Sequence, residues 1–216
     1  MFLLIQEVPS MKVYDYPGFP NPVRIRIALA EKGLTDKVSY VTVDVPAGEH
    51  RKPEFQAKNP DAAVPVLELD DGTTISECTA ITEYLDNAYG EAVLTGGDAK
   101  ERAIVHMMQR RAEARLLDAL TSYFHHATPG LGPNIELYQC REWGEHQRER
   151  AIAGMHYLND VLAKQPYLAG ANFSMADITA FAGLAFADFI KVDVPETCHA
   201  LKAWRERVAA RPSIAS

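Results

Sequence analysis

At 216 residues, 47% of them hydrophobic, the chain has room for one large domain or two small ones around a substantial core. A formal net charge of −7 argues against general nucleic-acid or membrane-surface binding, which needs a basic face. No apolar run is long enough to span a bilayer, and Met1-Phe2-Leu3-Leu4-Ile5 is too short, and lacks the basic flank, for a signal peptide. The cysteines Cys78, Cys140 and Cys198 are far apart with no Cys-x-x-Cys spacing. A disulfide framework, a zinc site and a thioredoxin-type redox pair are therefore unsupported, and a reducing, cytoplasmic setting fits.

The first ten residues end in Pro9-Ser10 and read as an extension, with a second plausible beginning of the fold at Met11. Residues 12–14 form a strand candidate, and Phe19-Pro20-Asn21-Pro22 is a breaker cluster. Pro22 suits the first turn of a helix with Asn21 as its cap; that helix runs to Lys32 and ends at Gly33. Residues 38–43 are a strand rich in β-branched side chains. A hairpin follows, 66–69 and 74–75, around Asp71-Gly72, then a helix over 76–89. The first half thus reads β-α-β-loop-β-β-α.

Residues 90–98 are glycine-rich and lack periodicity, as expected of a linker. Beyond them the pattern is helical throughout. Val105, Met108, Ala112, Leu116, Leu120 and Tyr123 recur at three- and four-residue steps and predict a long helix over 100–127. The turn Thr128-Pro129-Gly130-Leu131-Gly132-Pro133 breaks it, and a second long helix is expected over 135–164, with kinks near Gly144 or Gly154. Ser174 and Asp177 have capping-box spacing before an apolar helix over 178–189. Residues 195–211 close the fold. The expected organisation is a first domain over 11–89, a linker over 90–98 and an all-helical domain over 99–216.

The most informative stretch is Ala63-Val64-Pro65-Val66-Leu67-Glu68-Leu69-Asp70-Asp71-Gly72, followed by Ile75-Ser76-Glu77-Cys78. A proline at the first residue of a strand sits where the ladder needs no donor. A cis bond between Val64 and Pro65 would turn the Val64 amide and carbonyl outward, ready to pair with an extended peptide. The helix that follows offers unpaired N–H groups and a positive pole to a carboxylate. Together these make a receptor for a small anionic peptide.

This arrangement resembles the glutathione transferase family, whose thioredoxin-like half holds glutathione with a cis-proline loop and an acidic-plus-small-residue pair. YDYPGFPNPVRIRIALAEKG from Tyr14 is similar to the family's first strand and helix, and GEHRKPEFQAKNP from Gly48 to its second binding loop. FSMADITAF from Phe173 is similar to the capping segment of the helical half, and LKAWRERVAARPS from Leu201 to its last helix. These motifs, in family order, cover nearly the whole chain. The resemblance implies a thioredoxin-like α/β domain followed by an all-α domain, a homodimer, glutathione as co-substrate without a further cofactor or metal, and a small hydrophobic electrophile as second substrate.

Carried over residue by residue, Glu77 and Cys78 match the pair that holds the γ-glutamyl group. His50 and Arg51, with Lys52 as helper, match the loop that meets the glycyl carboxylate, and Val64 and Pro65 match the backbone-pairing site. Asn21 begins the helix whose N-terminus is expected at the sulfur, and Phe19, counted with the glutathione-binding residues, is expected to line the second-substrate site with the long helix and the loop Thr128 to Pro133. One position departs from the pattern. Serine-type relatives carry a hydroxyl two residues before the proline that precedes the first helix; here that position is Pro20, which has no side-chain donor. No cysteine occupies the region, which counts against the omega and beta types.

A subgroup of yeasts and some bacteria, similar in the runs Glu-Cys-Thr-Ala-Ile-Thr-Glu-Tyr and Tyr-Phe-His-His-Ala-Thr, lacks the usual activator and is thought to use a water held from the long helix. Thr121 and His125 match the hydroxyl and imidazole implicated there, four residues apart on one helix face. By composition alone Ser122 and His126 would do as well. Tyr16 is the other candidate activator, while Tyr14, within the strand, is expected to be packed.

Three alternatives stand beside conjugation. A non-catalytic binding module on the same fold is disfavoured by the intact Val64-Pro65, Glu77 and His50-Arg51. Glutathione-dependent peroxidase or etherase chemistry would use the same site. A thiol–disulfide oxidoreductase ranks low because no cysteine follows the first strand.

Overall fold

The computed structural model describes residues 11–215, so the extension expected before Met11 lies outside the described residues. β1, Met11–Asp15, buries Met11, Val13 and Asp15 at alternate positions, the period-two signature of a strand packed on one face. α1, Pro20–Glu31, returns the chain so that β2, Val38–Thr42, lies parallel to β1 with Met11 opposite Val38. A single 3-10 turn, Glu49–Arg51, and the short α2, Pro53–Gln56, carry the chain under the sheet. β3, Val66–Glu68, then pairs antiparallel with β1, and β4, Thr74–Ile75, with β3. The sheet order is β2-β1-β3-β4, and α3, Cys78–Ala88, completes a thioredoxin-like α/β domain. Its core packs Val13, Ile25, Leu29, Leu67, Ile81 and Leu85 between the sheet and the pair α1 and α3.

Two boundaries differ from expectation. α1 starts at Pro20 with Phe19 at the cap position, so Asn21 is inside the first turn and is not the cap. Pro20 supplies a helical φ one residue earlier than Pro22 would. α3 starts at Cys78 because Glu77 holds φ at +68°, which a helix cannot include.

The helical half opens with α4, Ala99–Ala112, whose cap Asp98 accepts the amides of Lys100 and Glu101 at 2.8 Å. The chain passes through a π turn, Glu113–Leu117, directly into α5, Asp118–Ala127. After the Thr128–Pro133 reversal come α6, Arg141–Leu162, α7, Met175–Phe189, α8, His199–Ala209, and α9, Pro212–Ala215. α7 is buried nearly all round, as its apolar sequence requires. Its capping box is present: Asp177 accepts from the Ser174 amide and hydroxyl and also from the Leu168 amide and the Trp204 indole, each at 3.0–3.1 Å.

The second long helix begins at Arg141, since residues 135–140 close the loop after the turn. The helix runs unbroken through Gly144 and Gly154. A Cβ at Gly154 would lie 2.2 Å from the Arg115 carbonyl oxygen, and one at Gly144 would lie 2.6 Å from the Ala127 Cβ. Both glycines let α6 approach α5 and the π turn closely.

The halves share a core, because Ile27 and Ala28 of α1 pack with Leu116, Leu120 and Leu184. The buried carboxylate of Asp86 organises the intervening segment, accepting the amides of Val93, Leu94 and Thr95 and the ammonium of Lys32. No helix among the described residues is long and apolar enough to cross a membrane.

Candidate active site

Two adjoining cavities lie between the halves. The larger, about 510 Å³, is walled by the β1–α1 loop with Tyr16 and Phe19, by Thr121, Phe124 and His125 of α5, and by Phe186 and Phe189 at the end of α7. The smaller, about 240 Å³, lies between His50, Arg51 and Ala62 on one side and Ile135 and Glu136 on the other. Phe19, Val64, His125 and Leu131 line both. Of the residues singled out in the sequence, Phe19, Asn21, His50, Arg51, Val64, Thr121 and His125 line one or both cavities. Lys52, Pro65, Glu77 and Cys78 line neither.

The start of α1 reaches the larger cavity through Pro20, Asn21 and Pro22. Two of these first-turn residues are prolines without an N–H, so the Asn21 amide is the first turn's one donor, and among the described residues it has no acceptor. The Asn21 side chain is occupied: its Oδ1 accepts Arg24 Nη1 at 2.9 Å, and buried Arg24 also donates to Glu113 in the π turn at 2.9 Å. Tyr16 packs on Phe19 with ring centroids 4.6 Å apart, and its hydroxyl has no partner among the described residues. Tyr14, as expected, is packed: it donates to Glu68 at 2.9 Å and meets Phe55 edge-on.

The Val64–Pro65 bond is cis, and the Val64 amide and carbonyl make no hydrogen bond among the described residues. Glu77 is exposed and makes no capping hydrogen bond, so it is not holding its own helix. The Cys78 side chain is buried with its thiol on the Asn21 carbonyl, which leaves its backbone N–H at the start of α3 as the group it can offer. In the charged loop Arg51 and Lys52 are exposed and His50 is not. His50 is buried, its Nδ1 lacks a partner, and burial together with the neighbouring Arg51 pushes its pKa down. Arg51 donates to the carbonyls of Asn134 and Ile135, latching this loop to the helical half. Lys52 is exposed and flanks α2.

On α5, the Thr121 hydroxyl shares its hydrogen between the carbonyls of Leu117 and Asp118, both at 3.0 Å, so toward the cavity it is an acceptor. His125 Nδ1 lies 2.8 Å from Glu136 Oε1. Sequence reasoning missed Glu136, as it missed the aromatic wall of Phe124, Phe186 and Phe189. The one available signal for Glu136 was the Pro/Gly-rich reversal, which brings position 136 back beside 125. No group of three or more His, Cys, Asp and Glu side chains among the described residues is placed to hold a metal ion.

A glutathione S-transferase N-terminal domain model matches residues 20–88, and a glutathione S-transferase C-terminal domain model matches residues 145–212. Glutathione S-transferase 2 of Saccharomyces cerevisiae is 57% identical over 205 residues, covering 95% of this chain and 88% of the yeast protein. The chain belongs to the glutathione S-transferase family. The crystal structure of Gtt2 from Saccharomyces cerevisiae matches this glutathione S-transferase with a TM-score of 0.93 at 56% identity, over 94% of this chain and 98% of that one. A glutathione S-transferase domain-containing protein from Marinobacter aquaeolei matches at 0.92 and 62% identity, over 94% and 99%. The enzyme is therefore a transferase with glutathione as substrate, built as a thioredoxin-like domain followed by a helical one.

Proposed function

We propose that this glutathione S-transferase conjugates the glutathione thiolate to small hydrophobic electrophiles, and that the sulfur is kept ionised by the start of α1 together with a water held from α5. The observation that carries the reading is that Asn21, Thr121 and His125 line one cavity. A free cysteine thiol titrates near 8.5, and lowering that by two pH units requires about 2.7 kcal/mol of preferential stabilisation of the thiolate. The Asn21 amide at a helix N-terminus and one oriented water are of that order. A neutral His125 with its hydrogen on Nδ1 accepts at Nε2. The water then passes one hydrogen to Nε2 as it takes the thiol hydrogen, leaving thiolate, water and imidazolium, and Thr121 Oγ1 accepts the water's remaining hydrogen.

In this reading glutathione lies extended along Val64, whose amide and carbonyl are free to pair with its cysteinyl backbone. Its γ-glutamyl end meets the Glu77 carboxylate and the Cys78 amide, and its glycyl carboxylate lies toward His50 and Arg51, with Lys52 supplying long-range positive charge. The electrophile occupies the larger cavity, whose aromatic walls suit apolar molecules. A homodimer belongs to the same reading; sedimentation as a stable monomer at micromolar concentration would remove that part.

The second reading, a tyrosine-type activator, rests on the unpartnered Tyr16 hydroxyl in the same cavity. The pH dependence of conjugation separates the two. Thr121→Ala/His125→Ala is expected to move the acid limb upward and lower turnover near neutrality, with glutathione affinity less affected, while Tyr16→Phe leaves the profile in place. A shift in the tyrosine variant alone assigns the chemistry to Tyr16.

A further inference from the structure

One oxygen of Glu136 does two things. Oε1 stands 2.8 Å from His125 Nδ1 and accepts the Leu131 amide, also at 2.8 Å. The Glu136 side chain is only 8% exposed, so this carboxylate is held inside the wall rather than on the surface. A carboxylate oxygen facing a ring nitrogen at this distance requires the hydrogen on that nitrogen, since two acceptors would repel. In the neutral ring the other nitrogen, Nε2, is then the acceptor, and it has no partner among the described residues.

The surrounding loop is built to keep the carboxylate there. Thr128 donates to the Phe124 carbonyl and accepts the Gly130 amide, and Gln139 ties the carbonyls of His125 and Thr128 together. Gly130 sits at φ +55° directly against the carboxylate; a Cβ there would come within 2.2 Å of Oε1. Leu131, pinned by the same oxygen, lines both cavities.

We propose that Glu136 is a positioning residue of this enzyme: it fixes His125 in the tautomer whose Nε2 accepts a proton, and fixes the lip at Leu131, through a single oxygen. The inference rests on the reading of His125 given above. Other titratable or charged groups facing His125 are His50 and Arg51 across the smaller cavity and Tyr16 across the larger, while the adjacent His126 is turned to the Cys140 amide.

The test uses the full-length enzyme with glutathione and a nitro-activated aryl chloride. Nitrogen NMR of the His125 ring in the wild-type protein is expected to show Nδ1–H; a predominant Nε2–H tautomer overturns the proposal without any variant. In kinetics, Glu136→Ala is expected to lower kcat about tenfold or more with KM for glutathione changed by less than about twofold. The bound thiol, followed by thiolate absorbance, should titrate about one pH unit higher.

Glu136→Gln should recover most of kcat, because its carbonyl oxygen can accept both N–H groups. Adding Glu136→Ala to His125→Ala should leave the thiol titration where His125→Ala alone puts it, since on the sulfur the carboxylate acts through the imidazole. If Glu136→Ala fails to fold, the wild-type tautomer and Glu136→Gln kinetics decide. If His125→Ala leaves the thiol titration unmoved, the activation reading falls and takes this one with it. A shifted His125→Ala beside an unshifted Glu136→Ala removes the role of Glu136 alone.

Discussion

Cys78 points its thiol at the backbone carbonyl of Asn21, 3.4 Å away, and so joins the first turn of α3 to the first turn of α1 at the edge of the site. Burial pushes this thiol up to about 11, with Glu113 and Glu77 adding to the effect and Arg24 opposing it. The side chain is a structural donor rather than a nucleophile. At pH 8 about one molecule in a thousand carries its thiolate. Peptide mapping after iodoacetamide treatment of the folded enzyme should find Cys78 unmodified while the half-buried Cys140 reacts. Rapid alkylation of Cys78 would show that its burial is not maintained in solution.

Glu77 precedes that junction with a left-handed backbone and an unoccupied carboxylate. A non-glycine residue in this region costs of order 1–3 kcal/mol, which folding interactions must offset. Glu77→Ala should weaken glutathione binding by about 1.5–3 kcal/mol, the value of a charge-assisted hydrogen bond to the ligand ammonium. Titration calorimetry reads the change. Unaltered affinity would place the γ-glutamyl group elsewhere.

Gly154 meets the carbonyl of Arg115 where a side chain has no room. Backbone atoms cannot rotate aside, so Gly154→Ala should force α6 away from the π turn and destabilise the fold by about 1–3 kcal/mol. Urea unfolding measures this; a change below half a kilocalorie would mean the helices separate more easily than their packing implies.

His50 is buried with an unpartnered ring nitrogen, and burial followed by Arg51 holds its pKa below the ordinary 6.5. The unfolded chain therefore binds a proton at His50 more readily than the folded one. Its contribution to stability is complete above 6.5 and is lost as pH falls through the lower folded value. His50→Gln should flatten the fall in unfolding free energy over that window. An unchanged slope would assign the acid sensitivity to other groups.

Much of the fold was legible because its signals are local. The Asp71-Gly72 turn, the Ser174–Asp177 box and the period-two and period-four apolar patterns each specify an element through nearest neighbours. Boundaries depending on unusual backbone were not: Glu77 at φ +68° shortens α3, and Pro20 rather than Pro22 starts α1. The positions proposed to face glutathione could be carried over because they lie in contiguous motifs. Glu136 could not, since its role exists only once the Thr128–Pro133 reversal has folded. The burial of His50 was not legible for the same reason, since the Asn134–Ile135 segment, to which the exposed Arg51 donates, is more than eighty residues away.

The π turn over Glu113–Leu117 sets the phase at which Thr121 and His125 meet the cavity. Such a turn holds one residue more than an α turn, and each residue advances a helix by about 100°. With one residue absorbed in the turn, Thr121 and His125 stand about where Leu120 and Phe124 would stand on an unbroken α-helix of the same sequence. Such a helix would turn two apolar side chains to the place where the cavity now has a hydroxyl and an imidazole. The polarity of this wall is thus written a full turn upstream, in the phase of the helix as well as in the identity of its side chains.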